Sequence, residues 1–131
     1  MSSKPSEHFT WHELDRYGDR TMSASANLLE LAKALEVIRA EAGCPLAVTP
    51  NGAYHGKAMD AAGHKRKPTS QHRKGRAADL VPKGISLVEL HRIILRLIKD
   101  GKIPQGGVGR YSSFLHYDTR GYPARWGKRL K

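Results

Sequence analysis

The stretch SQHRKGRAADL, residues 70–80, sets one acidic residue within a run of small and apolar residues. Residues 76–82, RAADLVP, have the short apolar pattern of a buried strand, and Asp79 lies in the middle of that pattern. A carboxylate in such a strand needs a partner, because burying an unpaired charge is unfavourable. A turn at Lys74–Gly75 would fold His72 back toward Asp79. The stretch is therefore either half of a metal site or a basic loop that binds polyanions.

A second stretch, FLHYDT at residues 114–119, also carries ionisable residues on a predicted strand. Successive side chains of a strand point to opposite faces, so His116 and Asp118 share one face with Phe114. Tyr117 points to the other face. Two ionisable side chains on one face of a central strand again indicate a polar site.

If the two strands are neighbours, His72, Asp79 and His116 converge. Two imidazoles and one carboxylate form a ligand set known from catalytic zinc sites, where the fourth position stays open for water. Zinc would lower the pKa of that water toward ~7 and polarise a carbonyl. Asp118 could accept a hydrogen bond from a ligand imidazole and fix its tautomer. Taken alone, each of these residues is more often a structural residue with satisfied hydrogen bonds.

The remaining sequence predicts an α+β fold, in which helices pack on a small antiparallel sheet. A Thr10–Glu13 capping box begins a short first helix. Apolar residues recur at steps of three and four in two longer helices, residues 23–43 and 85–101. Strands are predicted at 46–49, 76–82, 107–111 and 114–119, with a polar loop at 50–69 and a basic tail at 120–131 in which Trp126 packs back on the domain.

The composition indicates one basic domain over residues 1–131. Lysine and arginine number 23 against 12 acidic residues, which gives a net charge of +11 and predicts attraction to polyanions. The basic run at 64–76 is interpreted as a solvated loop, with attraction of an anionic partner as the alternative. Nucleic acid is not an expected partner, because no recognised nucleic-acid-binding motif is present.

The first residues, MSSKPSEHFTW, lack the apolar segment of a signal peptide. No apolar run approaches the ~20 residues of a membrane span. The sequence therefore predicts a protein made in the cytoplasm without a signal peptide or a membrane span.

The two stretches together resemble a known family. The first matches the pattern SxHxxGxAxD through Ser70, His72, Gly75, Ala77 and Asp79. With the following FLHYDTRG, this resembles the zinc D-alanyl-D-alanine carboxypeptidase and L-alanyl-D-glutamate endopeptidase family. These enzymes cleave peptidoglycan in bacteria and phages, and their zinc fold is similar to that of the hedgehog signalling domain. The segments HFTWHEL, GGVGRY and RGYPARW extend the resemblance from about His8 to Trp126.

The resemblance implies that zinc is bound by His72, Asp79 and His116, and that Ser70 orients the first motif. It implies a zinc peptidase that hydrolyses the peptide stem of peptidoglycan, with the stem and the anionic wall as partners. Because that substrate lies outside the cytoplasm, we expect a phage lysin or a virion or tail component. Such a protein would act at the wall after release or as part of a virion, where it would contact other virion or tail proteins.

The first departure from the family concerns the general base. Many members carry an acidic residue three positions before the second histidine, where this chain has Ser113. The general base therefore stays unassigned, with Asp118 and His55 as the candidates.

The second departure concerns substrate binding. Members often have SGYR after the first strand, whereas this chain has TPNGAYHG with no arginine in register. Tyr54, His55 or Lys57 could substitute, although none is a bidentate cation. Ser70 and Arg120 are further candidates for substrate binding. Both departures favour one alternative, a non-catalytic zinc-binding structural or wall-binding tail protein derived from this family.

Overall fold

The computed structural model describes residues 4–130. The α-helices are Trp11–Leu14 (α1), Met22–Ala42 (α2), Lys57–Ala61 (α3) and Leu87–Lys99 (α4). The strands are Leu46–Val48 (β1), Ala77–Pro82 (β2), Gly107–Arg110 (β3), Leu115–Asp118 (β4) and Ala124–Gly127 (β5). A 3₁₀ turn, Gln71–Lys74, precedes β2. The α+β prediction is confirmed. Residues 4–130 contain no helix that could span a membrane.

The five strands form one sheet in the order β1-β2-β4-β3-β5. The first three pairings are antiparallel, as predicted, but β5 runs parallel to β3, so the sheet is mixed. The segment predicted as a basic tail therefore contains a strand. The four residues of β5 are too few to show a clear period of two, and their extended conformation depends on pairing with the backbone of β3.

Helices α2 and α4 pack against each other, and α4 also contacts β2, β3 and β4. The predicted apolar positions of the two helices are fully or almost fully buried there, except Leu87, which is partly buried: Leu28, Leu31, Leu35, Ile38, Leu90, Ile94 and Leu97. Leu80, Leu115 and Tyr117 of the sheet join the same core. Burial of each such side chain contributes about 1.5–3 kcal/mol. The helices thus occupy one face of the sheet, and the opposite face is left for polar side chains.

The polar loop predicted at 50–69 contains a helix, α3, that the sequence did not reveal. Gly56 precedes α3 and offers no capping side chain. Instead, Asp19 accepts a hydrogen bond of 2.9 Å from the backbone N–H of Ala58. The cap comes from a residue 39 positions away, so no local pattern could indicate it.

Candidate metal centre

Two of the predicted ligands lie side by side on neighbouring strands of the sheet. Asp79 in β2 and His116 in β4 are directly paired in the antiparallel register. Side chains that lie opposite on antiparallel strands have Cβ atoms roughly 5 Å apart and share a face. Their neighbours Leu80 and Leu115 point to the core. Alternation along both strands therefore sends Asp79 and His116 to the face opposite α4.

The third predicted ligand, His72, is positioned by the 3₁₀ turn. The Ser70 hydroxyl accepts a hydrogen bond of 3.2 Å from the His72 backbone N–H, which begins the turn. Gly75 ends it with a φ of 74°, in the left-handed region that favours glycine. A Cβ on Gly75 would lie 2.7 Å from the Ala24 carbonyl oxygen, so the turn sits tightly against α2. Ser70 thus begins the turn that carries His72, and Gly75 ends it.

The hydrogen bonds of the two imidazoles leave one nitrogen of each ring facing Asp79. His72 Nδ1 lies 2.9 Å from the Ala53 carbonyl oxygen and donates to it, so Nε2 is the free acceptor, 3.5 Å from Asp79 Oδ1. His116 Nε2 lies 2.6 Å from Asp118 Oδ2 and donates to it, which leaves Nδ1 free, 3.3 Å from Asp79 Oδ1. The candidate donor atoms are therefore His72 Nε2, His116 Nδ1 and a carboxylate oxygen of Asp79.

These three donor atoms fit a divalent metal ion. They lie within 4.8 Å of one another, and all three residues are buried. Asp79 Oδ1 has no hydrogen-bond partner among residues 4–130. Burial would raise the pKa of Asp79, but the adjacent His116 and His72 outweigh it and hold that pKa at about 2. An ionised carboxylate and two imidazoles form a ligand set that zinc accepts.

Asp118 is buried behind His116 and orients it. Besides His116, its carboxylate accepts hydrogen bonds from the backbone N–H groups of Gly107 and Arg120, at 2.8 and 3.1 Å. The Arg120 guanidinium adds two more, at 2.9 and 2.8 Å. Burial favours the neutral acid, but these donors hold the pKa of Asp118 far below its usual range. With all of its acceptor capacity used, Asp118 fixes a tautomer and is not free to take a proton from water.

A cavity of about 800 Å³ opens over the three ligands. Tyr111 and Phe114 stack with ring centroids 4.5 Å apart and form part of its wall. The Trp126 ring lies 4.9 Å from the His116 ring and forms another part. The predicted ligands therefore lie in the wall of a cleft that is partly aromatic.

The family model for peptidase M15 matches residues 7–118. The chain belongs to this peptidase family. The match includes the three candidate ligands and Asp118 of this M15 peptidase, and it ends before Arg120 and β5. No curated protein matches the sequence.

Arg66 is a cavity residue of this M15 peptidase that the sequence analysis missed. Its guanidinium donates a hydrogen bond of 3.1 Å to the Asn51 carbonyl oxygen and lies 3.8 Å from Asp79 Oδ2. Burial lowers the pKa of Arg66, although Asp79 opposes that effect. Arg73 fixes the loop by donating to the Arg66 and Lys67 carbonyl oxygens, at 2.8 and 3.1 Å. In the sequence, Arg66 is one cation among many in a run interpreted as solvated, and nothing local distinguishes it.

Four of the six predicted catalytic or substrate-binding residues, Asp118 among them, lie away from the cavity lining. His55 is 2% exposed, and its Nε2 lies 2.8 Å from Asp60 Oδ1. Tyr54 is also buried, while Lys57 is exposed at the start of α3. Of the other two candidates, Ser70 and Arg120 do line the cavity, but the Arg120 guanidinium is engaged by Asp118.

Proposed function

We propose that this M15 peptidase is a zinc-dependent hydrolase of the peptide stem of bacterial peptidoglycan. The observation that carries the proposal is the convergence of His72, Asp79 and His116, each with a free donor atom, beneath an open cavity. When bound there, zinc would supply a Lewis acid for a substrate carbonyl and lower the pKa of a nearby water to about 7.

The chain's own residues prepare this site for a metal. Asp118 holds the His116 ring in the orientation that leaves Nδ1 free. The Ala53 carbonyl oxygen accepts the hydrogen bond of His72 Nδ1 and so leaves His72 Nε2 free. Asp79 stays ionised at neutral pH. The donor groups are thus oriented before an ion binds, which reduces the reorganisation that binding requires.

No carboxylate other than that of Asp79 faces the cavity in the part of the chain described. Among residues 4–130, Asp79 is the only acidic residue that lines the cavity. Ser113, which stands where many relatives have an acid, is exposed on the turn between β3 and β4 and lies outside the lining. The proposed activity therefore relies on the chemistry that zinc supplies and on substrate orientation, not on a carboxylate base.

The charge of the cavity supports a substrate with carboxylates. Lys65, Arg66 and Lys67 line it, together with Arg120, whose charge is paired with Asp118; the single acidic side chain in the lining is that of Asp79. The Arg66 guanidinium makes one hydrogen bond to a backbone carbonyl and lies close to the candidate ligands. A planar guanidinium can bind a carboxylate through two parallel hydrogen bonds. The segment after β1 lacks the arginine with which many family members bind substrate. We propose that Arg66 binds the substrate in its place.

The test combines metal analysis with digestion of purified peptidoglycan, with and without chelator, and identification of the products by mass. We expect one zinc per chain and chelator-sensitive cleavage of the peptide stem, with product masses that identify the bond as a carboxypeptidase or an endopeptidase site. Absence of bound zinc after zinc is added would contradict the proposal.

A non-catalytic zinc-binding wall or tail protein is the second candidate. It is favoured by the lack of a free acidic side chain near the ligands in the part of the chain described. One zinc per chain with no cleavage of several wall types would support it. The role of the chain as a released lysin or a virion or tail component stays a prediction.

A further inference from the structure

Buried polar atoms without partners point to a second function of the cavity wall. Among residues 4–130, five buried side-chain atoms have no hydrogen-bond partner: Ser6 Oγ, Asp15 Oδ1, His55 Nδ1, Gln71 Oε1 and Asp79 Oδ1. Only Gln71 and Asp79 also line the cavity over the candidate ligands. A metal ion accounts for the free oxygen of Asp79. It leaves the amide oxygen of Gln71 unexplained.

The position of Gln71 is fixed by the same turn that fixes His72. Its backbone carbonyl accepts a hydrogen bond of 3.1 Å from the Arg76 N–H, and the turn closes at Gly75. Gln71 is only 7% exposed, so bulk water does not solvate its side chain freely. A buried acceptor without a partner loses its hydration without compensation. Because Oε1 is closed to water, a substrate can pair with it only after the side-chain amide turns toward the cavity that Gln71 lines.

We propose that the Gln71 side-chain amide turns into the cavity when the peptide substrate enters, and that Oε1 then accepts a hydrogen bond from a backbone N–H of that substrate. A peptide group carries one hydrogen-bond donor and one acceptor. A primary amide side chain carries an acceptor and a donor that can pair with them. The amide of Gln71 is neutral and suits a peptide group, whereas the cations of the cavity suit carboxylates. Gln71 thereby sets the position of the peptide backbone relative to His72. This inference rests on the proposed peptidase function.

Substrate selection follows from this role. If a substrate lacks the N–H, the buried oxygen stays unpaired in the complex, so the analogue binds less well. The cavity would therefore discriminate against stem peptides whose backbone N–H at this position is methylated or replaced by an ester oxygen.

The first experiment compares the zinc-loaded wild type with Gln71→Met, which keeps side-chain length and removes both hydrogen-bonding groups. We expect KM for the stem peptide and Kd for the isolated product to rise about tenfold, which is the effect of losing one hydrogen bond. The value of kcat should be largely retained. Zinc content should stay at the wild-type level. The matched control is Gln105→Met, because Gln105 is exposed and lies outside the cavity.

The second experiment identifies the partner atom. Stem peptides carry an ester in place of one non-scissile amide at a time. At one position, the ester should weaken binding to the wild type about tenfold and leave binding to Gln71→Met unchanged, because the variant has already lost the interaction. A purely structural role for Gln71 would give the same ester penalty in both proteins.

The outcomes separate the two proposals. Unchanged KM and Kd in Gln71→Met, with the wild type active, overturn the role of Gln71 and leave the peptidase function standing. A wild type that retains zinc but neither cleaves nor binds the intact stem peptide overturns both. A Gln71→Met protein that loses zinc also overturns the inference, since Gln71 would then act by supporting His72.

Discussion

The indole of Trp126 lies against the imidazole of His116, with ring centroids 4.9 Å apart. Gly109 makes this contact possible, because it pairs with His116 on one side and with Trp126 on the other. Trp126 Nε1 also donates a hydrogen bond of 2.7 Å to the Tyr111 hydroxyl. The last strand of the sheet therefore supplies one wall of the cavity.

Gly109→Ala should destabilise the protein and displace this wall. The new methyl group would overlap the Trp126 indole. Overpacking of this kind costs about 1–3 kcal/mol in free energy of unfolding. Urea denaturation followed by tryptophan fluorescence measures both effects. The control is the same substitution in a Trp126→Leu background, where the penalty should shrink because the overlapping ring is gone. An equal penalty in both backgrounds would mean that the indole does not occupy this space.

His116→Ala should abolish stoichiometric zinc binding. The substitution removes one of three donor atoms and leaves the Asp79 carboxylate without one of its two imidazole neighbours. Elemental analysis of the purified protein after dialysis against zinc gives the metal content. His12→Ala, which removes an exposed imidazole, should retain one zinc per chain. Full zinc retention in His116→Ala would contradict the assignment of His116 as a zinc ligand.

Asp118→Asn should weaken zinc binding about 10–100-fold. The amide can no longer act as the charged acceptor for His116 Nε2, so the imidazole loses the contact that keeps Nδ1 free. Competition with a chromophoric chelator measures the Kd for zinc. Asp100→Asn makes the same change at an exposed position and should leave that Kd unaltered. An unchanged Kd in Asp118→Asn would show that the buried carboxylate does not orient the ligand.

Arg66→Met should raise KM for stem peptides with free carboxylates by about tenfold, the effect of losing a charge-assisted hydrogen bond. The same peptides with amidated carboxylates should show no such increase, because they offer no anion to the guanidinium. Steady-state kinetics on both substrate sets measures the difference. Arg92→Met removes the same charge from an exposed site on α4 and should leave KM unchanged. An equal loss for amidated substrates would assign Arg66 a structural role.

The predicted ligands could be found from the sequence because their signals are local. Alternation along β4 puts His116 and Asp118 on one face, and a short motif around Gly75 contains both His72 and Asp79. The two long helices were also predictable, since their apolar residues recur with the helical period. The role of Asp118 as an orienting acceptor was predicted as well, whereas its alternative role as a base does not fit its saturated hydrogen bonds.

Local patterns along the chain were thus enough to predict the fold class, the two main helices, the central strands and the three residues that could hold a metal. The cap of α3 by Asp19, the pairing of β5 with β3, and the places of Arg66 and Gln71 in the cavity wall followed only from folding. The difference lies in the range of the interactions. Periodicity and turn chemistry act between neighbours along the chain, whereas capping across 39 residues, strand pairing and cavity walls depend on contacts that exist only after folding.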